Sequence, residues 1–148
     1  MALENEREIY RAHREAQTRY DYFLLAAAGA AIGFALTQTH DAPLTLSQIP
    51  LGAAVASWGL SFYCGCRRLA YVESNLYANM DLLKVESGRH PKAGQHQEMI
   101  AAASEGIQNA IEWNSNRARL WALGQFRLLV FGAISYVAWH VLEMYLRS

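Results

Sequence analysis

Hydrophobic and polar positions divide this chain into stretches of two kinds. In residues 3–20 apolar side chains are sparse: Leu3, Ile9, Tyr10, Ala16 and Tyr20 form a thin stripe at helical spacing. Glu8 with Arg11, Arg11 with Glu15, and Glu15 with Arg19 stand three or four residues apart, each pair contributing a few tenths of a kcal/mol to a helix. No breaker follows, so this helix is expected to continue into the next stretch. That stretch, 22–39 (YFLLAAAGAAIGFALTQT), is apolar on every face. At about 1.5 Å per residue it covers roughly 27 Å, close to the thickness of a bilayer core.

Residues 40–48 carry turn formers and neither Lys nor Arg. A second apolar stretch, 49–66, starts with Pro50 in its first turn, where a missing N–H costs nothing, and stops at Arg67 and Arg68. Residues 68–87 continue as a helix with Leu69, Val72, Leu76, Met80 and Leu83 at 3/4 spacing. Ser87, Gly88 and Pro91 should close that helix. A turn over 88–94 leads to a second stripe, Met99, Ala103, Ile107, Ala110 or Ile111, and Asn114. Two such stripes joined by a turn predict an αα-hairpin over 68–117. With no intervening breaker a third apolar stretch follows at 120–142, about 34 Å long and marked at its start by Arg117, Arg119 and Trp121.

The expected fold is therefore all-α: an integral membrane helical protein with three transmembrane helices, a cytoplasmic αα-hairpin and an N-terminal helix, in one membrane domain over 1–148. Charge distribution supports it. The 13 basic and 13 acidic residues balance, yet between Asp21 and Arg67 the only formal charge is Asp41. A soluble amphipathic helix needs a charged face. The competing architecture, a soluble bundle with an apolar pair of helices, draws on a whole-chain mean hydropathy near zero. Arg7, Arg11, Arg14 and Arg19 precede the first apolar stretch and Arg67 and Arg68 follow the second. By the positive-inside rule both flanks are cytoplasmic, the loop at 40–48 is outside, and the C-terminus is outside after the third span. The charged N-terminal stretch is no signal peptide. Absence of a basic surplus argues against nucleic acid as a partner.

Several residues attract chemical readings. Gly29 and Gly33 form GxxxG, and Ala26 and Ala30 extend a small-residue ridge suited to close helix approach. It serves either packing against the next helix of the same chain or association between copies. Trp58 lies mid-span and is expected to pack against protein. Arg127, with Gln125 nearby, falls inside the third apolar stretch, where a charge faces protein, water or a partner. One reading has arginines lining a pore in a homo-oligomer; the other has Arg127 snorkelling to headgroups. His140, Glu143 and Arg147 share a face at the far end, with His40 and Asp41 predicted on the same side. Such an outer polar cluster suits a metal ion or a pH response, although polar residues at a helix end are ordinary. His90 and His96 flank a Gly/Pro turn and read as solvated. Cys64 and Cys66 point in different directions on a helix, which argues against a disulfide, and no zinc-ligand spacing, nucleophile elbow or phosphate loop occurs. No catalytic residue, metal or cofactor is expected.

The layout resembles that of small bacterial membrane effectors of the SLATT type: a leading helix, a two-span hairpin, then cytoplasmic helices. The matching portion is roughly 5–88, through YFLLAAAGAAIGFAL, the loop with Pro43 and Pro50, and the run ending CGCRRL. The resemblance implies oligomerisation in the inner membrane and pore formation that damages the cell when a phage or another trigger is sensed. The leading expectation is accordingly a homo-oligomeric inner-membrane protein of pore-like action, with the lipid bilayer and further copies as partners. The alternative is a non-conducting anchor whose cytoplasmic hairpin docks a soluble protein.

Overall fold

The computed structural model describes residues 2–38, 46–90 and 96–147. Among these every regular element is helical: α1 (Ala2–Gln38), a single 3-10 turn (Leu46–Gln48), α2 (Ile49–Glu86) and α3 (Gln97–Arg147). Their 37, 38 and 51 residues correspond to about 56, 57 and 77 Å. The leading helix and the first apolar stretch are thus one rod, as the lack of a breaker required. The same holds for the second apolar stretch with 68–86, and for the second hairpin helix with the third stretch. All three helices are long and apolar enough to cross a membrane.

α2 ends as its glycine foretold. Gly88 takes φ 65°, a conformation open to a residue without Cβ. Its N–H donates to Val85 C=O at 3.0 Å and Arg89 N–H donates to Lys84 C=O at 2.9 Å. This pair of bonds is the Schellman arrangement, which satisfies carbonyls that would otherwise be orphaned at a helix end. The middle of the expected turn, 91–95, lies outside the described residues.

The chain packs as two compact units, Met1–Gly65 with Gly124–Ser148, and Cys66–Leu123. In the first, each helix lays down one narrow inward stripe. α1 contributes Asp21, Leu24, Ala28 and Ala35; α2 contributes Leu51, Ala54, Trp58 and Ser61; α3 contributes Gln125, Gly132 and Trp139. Steps of three and four residues along α2 are those of left-handed, coiled-coil-like packing. Tyr136 ties the aromatic core together, its ring centroid 5.8 Å from Trp58 and 5.5 Å from Trp139. The opposite faces remain apolar as well: Phe23, Phe34, Leu60, Phe62, Phe131, Ile134 and Val137 are all exposed. A soluble bundle would need polar side chains there, so this outer surface suits hydrocarbon. These are the features of a multi-pass membrane protein.

The second unit is an antiparallel helix pair. Tyr71, Asn75, Ala78, Leu82 and Val85 of α2 turn inward, as do Ile100, Ala103, Ile107, Ile111, Asn114 and Ala118 of α3. Asn75 Nδ2 donates to Ser115 Oγ at 2.9 Å, and the rings of Tyr71 and Trp113 meet edge-on at 5.9 Å. Here one expectation is corrected. Val72, Leu76, Met80 and Leu83 do not face the partner helix; all four are exposed, Leu83 by 65%. Met99 and Ala110, too, stand on the outside of α3. α2 carries a second stripe of the same period, displaced by one or two positions, and the side chains of that stripe occupy the interface.

Val85 is 1% exposed. Val85→Ala removes two methyl groups from that core and should lower the stability of the chain by about 2 kcal/mol. Val72→Ala, the same change on the outside, should alter it by less than about 0.5 kcal/mol in dilute detergent. Thermal unfolding followed by circular dichroism checks both.

Candidate functional site

Of the polar side chains buried in the first unit, Asp21 stands on α1, Ser57 and Ser61 on α2 and Gln125 on α3. Ser57 Oγ donates back to Ala53 C=O at 2.7 Å, a bond within its own helix. Ser61 and Trp58 instead reach across. Ser61 Oγ–H donates to the backbone carbonyl of Gln125 at 2.7 Å, and Trp58 Nε1–H donates to that of Leu129 at 3.2 Å. Both acceptors are carbonyls of α3, one turn apart, that use a second lone pair. Between helices in lipid such bonds contribute about 0.6 kcal/mol each, and up to about 1.7.

Two glycines permit this approach, and each lies under a large side chain of the other helix. A Cβ at Gly132 of α3 would come within 2.5 Å of Trp58 Nε1. A Cβ at Gly65 of α2 would come within 2.6 Å of Gln125 Nε2 and of Leu25 Cδ2. Trp58 and Gly65 are seven residues apart on α2, as Gln125 and Gly132 are on α3. The two contacts are therefore reciprocal across an antiparallel pair. Nothing in a GxxxG search signals them, because neither glycine has a second glycine four residues away.

Gln125 is 1% exposed, and neither its Oε1 nor its Nε2 has a hydrogen-bond partner among the described residues. Trp139 Nε1 is in the same condition. A buried amide without partners loses the stabilisation that water or protein would give it. Its seat on Gly65 is one of shape.

The residues singled out in the sequence fall on different surfaces. Gln125 and Arg127, adjacent in the pore reading, point apart: two residues on a helix are separated by about 200°. Gln125 is buried inside the seam, whereas Arg127 is exposed and makes no ion pair or hydrogen bond with the described residues. Ala26, Gly29, Ala30 and Gly33 are exposed, and a Cβ on either glycine would meet nothing within 4 Å. The ridge thus does not serve packing within the chain; α1 uses Leu24, Ala28 and Ala35 for that. His140 is exposed, its ring 6.2 Å from that of Trp139, and Glu143 lies one turn further along, half-buried. His40 and Asp41 lie outside the described residues. Among the described residues no three His, Cys, Asp or Glu side chains converge on a point that could hold a metal ion.

Gly132→Ala should force the Trp58 indole aside, break its bond to Leu129 and lower stability by about 2 kcal/mol. Gly29→Ala, in open space, should be neutral or stabilising by up to about 1 kcal/mol through helix propensity. Gln125→Met keeps the volume on Gly65 and deletes two unpartnered polar atoms; stability should rise by about 1 kcal/mol. Unfolding in mixed detergent micelles reads all three.

No protein-family model matches this chain, and searches of curated proteins and of solved structures give no match either.

Proposed function

We propose that this chain is a multi-pass protein of a bacterial inner membrane that assembles with further copies of itself and acts as a pore-like effector. The observation that carries the assembly is the outward stripe Val72, Leu76, Met80 and Leu83. It lies on the charged half of α2, among Glu73, Asp81, Lys84 and Glu86, so lipid does not account for it. An apolar stripe at 3/4 spacing on a helix in water is covered most simply by the same stripe of a second copy. The exposed ridge of Ala26, Gly29, Ala30 and Gly33 supplies a matching surface for contact in the apolar half.

Pore-like action draws on two further features. Side chains fill the seam of the single chain, with Trp58 over Gly132 and Gln125 over Gly65. Any aqueous path would then run between copies. Arg127 stands exposed within the third apolar stretch, where a charge stabilised by water along such a path would cost less than one facing lipid. The arginines flanking the apolar stretches favour a cytoplasmic N-terminus and hairpin. The resemblance to SLATT-type effectors points the same way. In the second reading, a non-conducting anchor, the stripe on α2 receives a soluble protein instead.

Leu76→Asn with Leu83→Asn should weaken self-association by about two orders of magnitude while leaving each chain helical. Light scattering in detergent measures the mass. Wild-type protein should release an entrapped dye from liposomes, and Arg127→Gln should change the rate or the charge preference of release. A monomer in detergent that leaves vesicles sealed would rule out the assembly and its pore; a stoichiometric soluble partner cross-linked at residue 76 or 83 would favour the anchor.

A further inference from the structure

The charged end of the second unit carries an unbroken ladder of rings and guanidinium groups. Arg67 lies with its guanidinium carbon 5.3 Å from the centroid of Tyr71 and 5.9 Å from that of Trp121. Tyr71 meets Trp113 edge-on at 5.9 Å, and the guanidinium carbon of Arg117 lies 5.1 Å from the Trp113 centroid. The order is Trp121, Arg67, Tyr71, Trp113, Arg117, five side chains from two helices. Arg68 and Arg119 stand beside it in sequence.

Three properties of this ladder point to an anionic ligand. Cation–π contact with rings restrains a guanidinium before any ligand arrives. Of its five N–H donors Arg67 spends one on Tyr71 Oη at 3.3 Å and keeps the others. Neither Arg67 nor Arg117 forms an ion pair with a carboxylate among the described residues, Glu73 and Glu112 included. Trp113 in addition is 52% exposed, with Arg117 and Tyr71 covering only part of the ring.

Position identifies the source of the anion. Arg67 directly follows the apolar stretch 49–66 within α2, and Trp121 opens the apolar stretch 120–142 within α3. If those stretches lie in a bilayer, the ladder stands at headgroup level, where aromatic rings and arginines both partition. We infer that Arg67 and Arg117, oriented by Tyr71, Trp113 and Trp121, form a binding site for the phosphate headgroup of an anionic phospholipid. The guanidinium edges take the phosphate oxygens, and the exposed Trp113 ring covers the glycerol and upper acyl region.

This inference rests on the membrane reading, and the experiment separates the two. Wild-type protein and the Arg67→Gln/Arg117→Gln variant are reconstituted into vesicles of phosphatidylcholine with phosphatidylglycerol, released in mild detergent, and weighed by native mass spectrometry with bound lipid. Wild type should retain phosphatidylglycerol over phosphatidylcholine by about tenfold, and the variant should show no preference. Arg67→Lys/Arg117→Lys keeps the charges but not the planar fork of donors, and should recover only part of the preference. Inorganic phosphate should not displace the lipid. Wild type that inserts but retains both lipids equally overturns the site alone, as does an undiminished preference in the Gln variant or the Lys variant. Displacement by inorganic phosphate overturns the lipid as ligand. A chain that stays out of the vesicles overturns the membrane reading and the site with it.

Discussion

A large side chain seated on a glycine, once in each direction, governs how closely α2 and α3 approach. Trp58 rests on Gly132 and Gln125 on Gly65. Only at that separation do Ser61 and Trp58 reach the carbonyls of Gln125 and Leu129. Water drives no association between helices once both are in lipid, so contact area and a few interhelical hydrogen bonds must hold them. Glycine supplies the area by letting a ring or an amide lie against backbone. The remaining core, with Tyr136 between Trp58 and Trp139, is built outward from that approach.

The same constraint explains why polarity is arranged in two opposite ways along the chain. In the apolar stretches the outer faces carry Phe, Leu, Ile and Val, with Arg127 among them, while Ser57, Ser61 and Gln125 turn inward. Beyond Arg67 charges lie outside, and the interface of the second unit joins Leu82, Val85, Ile107 and Ile111 to smaller residues such as Ala78, Ala103 and Asn75. That interface takes one of the two apolar stripes of α2 and leaves Val72, Leu76, Met80 and Leu83 exposed.

Much of this was legible in the residues. The three apolar stretches, the rods that continue past them, the closure of α2 at Gly88 and the inward set Ala103, Ile107, Ile111 and Asn114 all follow from spacing and breakers. Trp58 was expected to pack against protein because an indole at mid-span finds no headgroup, and it is buried. What spacing did not settle was choice among faces. α2 beyond Arg67 is apolar along two adjacent stripes of equal period, and periodicity alone ranks neither. The GxxxG pattern drew attention to α1, yet the close approach occurs at Gly65 and Gly132, which no pattern distinguishes from any other glycine in an apolar helix. Gln125 and Arg127 looked like one polar feature in a linear reading; helical geometry sends them to opposite sides. The Arg67–Arg117 ladder joins residues some fifty positions apart, and only the folded hairpin brings them together.

The equal seven-residue intervals on α2 and α3 also act as a register lock. Were α3 to slip one heptad in one direction, Trp58 would collide with Gln125. A slip in the other direction would set Gly65 against Gly132 and open a void. Smaller slips rotate both glycines away from the seam. The helix pair therefore has a single axial setting, and sliding is not available as a mode of motion at this contact; whatever movement the spans undergo must be tilt, or rotation of the pair as a whole.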